Sequence, residues 1–238
     1  MSRTRDDDTP VLIVAHGSPS DPESQERALR DLAERVGALA GGRRIGGVTL
    51  AAEGRFDAMV ETLGTPLLYP YFMARGWFTG KVLAERGKAR GLEVMAPFGV
   101  EPALVACAAD KLRQVLAEQG WTAAETSLLV AAHGSAVSRT SADSAHAFAD
   151  AMRARLGFAT TRCGFVEQAP FLAEAAQGPA QSICLPFFAL NSGHMLDDVP
   201  DALEGARFAG PVLASFIDWP ETPALIADSL QEYFATAR

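Results

Sequence analysis

Short runs of consecutive apolar residues alternate along the chain with longer stretches in which apolar positions recur every three or four residues. The first run, Val11-Leu-Ile-Val-Ala15, stops at His16-Gly17-Ser18 and is followed by an amphipathic stretch from Glu23 to Val36. A run of this length bounded by turn formers reads as a strand buried on both faces, and the 3.6-residue period reads as a helix. The same order returns at Leu128-Leu-Val-Ala-Ala132, which stops at His133-Gly134-Ser135 before a second amphipathic stretch from Ser141 to Leu156. The two His-Gly-Ser turns lie 117 positions apart, about half the chain. Strand, loop and helix are therefore written twice.

The parallel extends further. Val48-Thr-Leu-Ala-Ala-Glu53 can be set against Arg162-Cys-Gly-Phe-Val-Glu167, each a strand-like run ending in a glutamate. Pro66-Leu-Leu-Tyr-Pro-Tyr-Phe72 matches Ser182-Ile-Cys-Leu-Pro-Phe-Phe188, with a proline at the same place and a glycine-containing loop after it. A fourth pair, Glu93–Phe98 and Pro211–Phe216, precedes helices expected from Pro102 and from Glu221. Strands alternating with helices predict an α/β protein made of two similar halves, each a parallel sheet flanked by helices. The expected division is residues 1–120 and 121–238, with the join near 118–127.

Parallel sheets of this kind bind ligands beyond the carboxyl ends of their strands. In the second half His133 and Glu167 fall at two such ends, and His194 lies in the loop after the third strand, within Asn191-Ser-Gly-His-Met-Leu-Asp-Asp-Val-Pro200. Two imidazoles and a carboxylate on one rim suit a borderline divalent ion, cobalt(II), iron(II), nickel(II) or zinc(II), and also suit proton transfer near neutral pH. The first half offers His16 and Glu53 but reads Ala74-Arg-Gly-Trp-Phe78 where the second histidine belongs. One complete site, in the second half, is the economical expectation. His16 is then either a remnant that caps its loop or a residue facing the cleft expected between the halves. Arg75, Trp77 and Phe78 are candidates to pair with ligand carboxylates and stack on a flat ring. His146 sits inside an expected helix and reads as structural.

Composition narrows the partners. The 238 residues are 48% hydrophobic and carry 21 Lys and Arg against 29 Asp and Glu, a net charge of −8 that disfavours nucleic acid. The charged N-terminus does not read as a secretion signal, and no apolar run has the roughly 18–20 residues that span a bilayer, so a cytoplasmic protein without a membrane partner is expected. Cys107, Cys163 and Cys184 are far apart, lack CxxC spacing and read as free thiols. GxGxxG, GxxxxGK[ST] and GxSxG are all absent, which leaves a nucleotide site or a hydrolase nucleophile at the His-Gly-Ser turns as minor alternatives.

The twice-written strand with Ala-His-Gly-Ser, together with Leu185-Pro-Phe-Phe-Ala-Leu-Asn-Ser-Gly-His-Met-Leu-Asp-Asp-Val-Pro200, resembles the class II tetrapyrrole chelatases, specifically the sirohydrochlorin chelatase group of cobalamin and siroheme synthesis. The resemblance runs from about Val11 to Tyr233. It implies two flavodoxin-like halves enclosing a cleft, and ATP-independent insertion of cobalt, iron or nickel as a divalent substrate ion, with no organic cofactor. It also implies His133 and His194 as metal-binding and catalytic residues, with Glu167 assisting. A free-base tetrapyrrole loses two N–H protons as an ion enters, so metal ligation and proton acceptance meet in one site. The working pair stands in the second half, as in anaerobic-type cobaltochelatases and protoporphyrin ferrochelatases, whereas the bacterial sirohydrochlorin enzymes generally place it in the first. The many carboxylates of sirohydrochlorin call for donors, for which Arg75, Lys81, Arg139, Ser135 and Ser192 are candidates, with Trp77 and His16 as further contacts. A monomer or a homodimer is compatible with this arrangement. A protein that only binds and hands on metal or tetrapyrrole is the alternative.

Overall fold

The structure is a computed structural model in which residues 8–19, 21–135 and 139–236 are described, Phe78 by its backbone alone. Strands β1 (Val11–Ala15), β2 (Ile45–Thr49) and β3 (Leu67–Pro70) form a parallel sheet in the order β2-β1-β3. Strands β4 (Ser127–Ala132), β5 (Thr160–Phe165) and β6 (Ser182–Pro186) form a second in the order β5-β4-β6. Every residue of β1, β3, β4 and β6 is buried, as expected of parallel strands covered on both faces.

Helices α1 (Pro22–Leu39), α2 (Arg55–Leu63), α3 (Ala84–Ala89) and α4 (Pro102–Gln119) follow in the first repeat. The second repeat supplies α5 (Thr140–Leu156), α6 (Leu172–Ala175), α7 (Val199–Gly205) and α8 (Thr222–Thr236). Helix α1 begins where the Asp21 carboxylate accepts the Ser24 N–H at 3.3 Å and Pro22 opens the first turn, a conformation its ring already favours. Each repeat also contains a turn of π-helix after its third strand, at Phe78–Leu83 and at His194–Asp198.

One layer of each core shows why the helices sit where they do. Leu12, Val14, Val48 and Leu68 from the first sheet pack with Phe56 and Val60 of α2 and with Leu83. Leu129, Ala131 and Cys184 from the second sheet pack with Leu172, Ala176, Val199 and Leu203.

One expectation is corrected. The fourth run of each repeat makes a single bridge instead of a strand, Leu68 with Val94 and Cys184 with Val212, because the chain then leaves the sheet for a 3-10 turn at Phe98–Val100 or Phe216–Asp218. The chain splits into two compact units. One unit comprises residues 1–72, 77–98 and 219–238, and the other comprises residues 73–76 and 99–218. The last helix of each repeat is thus grouped with the other repeat's sheet. Helix α8 buries Ile226, Ala227, Leu230 and Phe234 and packs on α1, where the Arg43 guanidinium lies 4.0 Å from the Phe234 ring centroid. Helix α4 buries Leu104, Ala108, Leu112 and Leu116 and packs on α5. The repeat written in the sequence and the unit packed in space are not the same object.

Candidate metal centre

In the second unit, β4 ends at Ala132 and the chain turns at once through His133 and Gly134. Gly134 has φ +73°, and a Cβ there would stand 2.8 Å from Gln168 Cγ and 2.9 Å from Phe165 Cβ, so only glycine fits. The turn is tied to the neighbouring strand end, since Glu167 N–H donates to the His133 carbonyl at 3.0 Å and Ser135 N–H donates to Gln168 Oε1 at 2.8 Å. These bonds hold His133 and Glu167 side by side, with Nδ1 of the imidazole 3.6 Å from Oε2 of the carboxylate.

His194 opens the π-helical turn after β6. Its loop is anchored by Asn191, which donates from Nδ2 to Asp218 Oδ2 at 2.8 Å and accepts the Ser215 hydroxyl at 2.6 Å. The Ser192 carbonyl accepts the N–H groups of Met195 and Leu196, both at 2.9 Å, and so shapes the turn itself. His133 and His194 meet edge to face with ring centroids 4.4 Å apart. Nδ1 of His194 lies 2.6 Å from Asp198 Oδ2 across the turn.

Among the described residues, His133, Glu167 and His194 form the cluster able to hold a metal ion, offering ligand atoms that all lie within 4.8 Å of one another. Donors at about 2.1 Å from a tetrahedral ion stand about 3.4 Å apart, so the cluster would contract slightly on an ion. The three side chains are 34% to 45% exposed, which leaves the ion a route in and out. The arrangement suits holding an ion briefly.

The other candidates are placed as follows. Ser135 and Ser192 flank the two histidines, half-buried, and Arg139 is exposed at the start of α5. Arg75 is exposed in the short stretch grouped with the second unit, whereas His16, Trp77 and Lys81 belong to the first. There Lys81 Nζ sits 4.2 Å from the ring centroid of Trp77, itself 58% exposed. The side chain of Phe78 lies outside the described residues. His146 is exposed on α5, with its ring edge to face against Phe165 of the same unit at 5.4 Å between centroids.

Strand register corrects the pairing of Glu53 with Glu167. Ala15 pairs with Thr49 and Ala132 with Phe165, and the bond from Ala51 N–H to the His16 carbonyl repeats the one from Glu167 N–H to His133. Ala51, not Glu53, therefore occupies the position of Glu167. Val14 pairs with Pro70 and Ala131 with Pro186, which places Phe78 at the position of His194. The first unit has His16, Ala51 and Phe78 where the second has His133, Glu167 and His194. Three residues of the second site carried no role in the sequence reading, namely Asp198, Gln168 and Asn191. The spacing of His194 and Asp198, four apart, was the available signal.

The chain is 42% identical to CbiX of denitrifying bacteria, the terminal enzyme for biosynthesis of siroheme there, with a TM-score of 0.85 over 94% of this chain and 98% of that one. This chain belongs to the CbiX family. The CbiX sequence model matches residues 127–219, a segment that contains His133, Glu167, His194 and Asp198. Two structures of SirB share the fold of this CbiX-family chain. SirB of Bacillus subtilis with Fe3+ is 13% identical, TM-score 0.72, and the sirohydrochlorin chelatase SirB of Bacillus subtilis subspecies spizizenii with cobalt is 12% identical, TM-score 0.69; each match covers 96% of both chains. No curated protein sequence matches.

Proposed function

We propose that this CbiX-family chain is a sirohydrochlorin chelatase that inserts a divalent ion into the macrocycle without ATP, iron(II) being the ion favoured by its likeness to a terminal enzyme of siroheme synthesis. The observation that carries the proposal is the convergence of His133, Glu167 and His194 on one sheet rim with ligand atoms within 4.8 Å of one another. The reaction exchanges one M2+ for two pyrrole N–H protons, so the protein must both present an ion and take up two protons. An imidazole nitrogen cannot ligate and accept a proton at once. As the ion passes to the ring nitrogens, the lone pairs of His133 and His194 are released and become the proton acceptors, with Glu167 beside His133 to stabilise the imidazolium formed. Partial exposure of all three groups lets the protons leave to water. Arg75, Arg139, Ser135 and Ser192 are proposed to meet the carboxylates of the macrocycle, and Trp77 and His16 are proposed as further contacts.

The test is the visible spectrum of sirohydrochlorin incubated anaerobically with catalytic protein and iron(II), cobalt(II) or nickel(II), each against a protein-free blank. Product beyond one equivalent per chain is expected, fastest with iron(II). A spectrum that stops at one equivalent identifies a binding and delivery protein, and no change defeats the proposal. His133→Ala and His194→Ala are each expected to lower turnover at least 100-fold while leaving the circular dichroism spectrum unchanged.

A further inference from the structure

We infer that Asp198 is the positioning residue for His194: its carboxylate takes the Nδ1–H of the imidazole, which fixes the ring with the Nε2 lone pair toward the incoming ion. The inference rests on the metal-centre reading above and deepens it. An ionised carboxylate only accepts hydrogen bonds, so the 2.6 Å contact between Asp198 Oδ2 and His194 Nδ1 requires the proton to be on Nδ1. The neutral ring then has its lone pair on Nε2 alone. The backbone builds this contact. His194 and Asp198 are the first and last residues of the π-helical turn, and its wider i→i+5 winding brings residues four apart nearer to one azimuth than an α-turn does. Pro200, directly behind in the first turn of α7, has its φ fixed by its ring, which stiffens the helix on which Asp198 is carried.

His133 reaches the same state by a different device. Its Nδ1 lies 3.1 Å from the Gly134 carbonyl, which also can only accept. Both rings therefore present Nε2, one set by a backbone carbonyl and the other by a carboxylate. The first unit has Val82 at the position of Asp198, so the pairing is absent there together with the histidine it would serve.

The experiment is imidazole 15N NMR of the whole chain, whose nitrogen shifts distinguish Nδ1–H, Nε2–H and doubly protonated rings, combined with cobalt(II) titration in the absence of any macrocycle. The four histidines are assigned by single substitution. In the wild type, His194 is expected to carry its proton on Nδ1. In Asp198→Ala it should shift toward Nε2–H, and cobalt(II) binding should weaken about 10–100-fold, the range typical for loss of such an outer partner. Asp198→Asn keeps an acceptor oxygen and should stay within about threefold of wild type. A wild-type His194 protonated on Nε2 overturns the inference even if the alanine variant does not fold. Asp198→Ala with unchanged tautomer and affinity, or Asp198→Asn as weak as Asp198→Ala, overturns it as well. Since neither readout involves turnover, an inactive wild type with the expected tautomer would defeat the chelatase proposal and leave this assignment standing.

Discussion

At Gly134 the candidate metal centre depends on the absence of a side chain. With φ at +73° and two side-chain carbons under 3 Å from where a Cβ would be, Gly134→Ala must both strain the backbone and push aside Phe165 or Gln168. A loss of about 1–3 kcal/mol in urea unfolding is expected, with weaker cobalt(II) binding because His133 is its neighbour. Gly17→Ala has the same backbone cause, φ +76° with Thr49 Cβ 2.5 Å away, and should lose stability without changing cobalt(II) binding. At this scale much of the site was legible. His133 and His194 stood out because two of the four histidines followed apolar runs in glycine-bearing loops of the same half. Asp198 entered only as part of the segment that carries the family resemblance and without a role, because an acidic residue four positions after a histidine matters only once the turn between them is known. Glu53 misled for a physical reason: a slip of two residues along a strand restores the alternation of faces, so the hydrophobic pattern alone does not detect it.

The strands carry their own titrating groups. Cys163 in β5 and Cys184 in β6 are buried, and burial raises both thiols from 9.0 to about 12; Asp150 adds to the rise at Cys163, while Arg162 opposes it at Cys184. A raised pKa means that the folded state keeps protons that the unfolded chain releases. The stability from these two thiols is therefore complete below about pH 9 and lost as pH rises from there toward 12. The urea midpoint should fall across that window, and more shallowly in a Cys163→Ala, Cys184→Ala double variant; equal slopes would assign the alkaline loss elsewhere. Elements of this kind were readable from the sequence, since fully buried parallel strands leave continuous apolar runs. The fourth runs looked equally strand-like, yet each makes one bridge, because a run at a sheet edge needs only a single pairing before the chain can turn away.

For the whole molecule, the grouping of α4 and α8 was invisible to repeat analysis, which finds order along the chain but not which sheet a terminal helix covers. A fragment of residues 1–120 contains one full repeat but lacks α8, leaving bare the face of α1 on which Ile226, Leu230 and Phe234 belong. It is expected to give a poorly dispersed NMR spectrum and to melt without cooperativity. A sharp, cooperative transition in that fragment would mean that α8 is dispensable to the first sheet. The grouping also sets an order of events during synthesis. All of residues 73–76 and 99–218 are synthesised before α8, so the half of the protein that carries the candidate metal centre is complete in sequence while the half begun first still waits for its final helix. A product truncated just before α8 would then carry the candidate ion-binding residues on a partly unfolded body, a hazard that the quality-control machinery of the cell would have to clear.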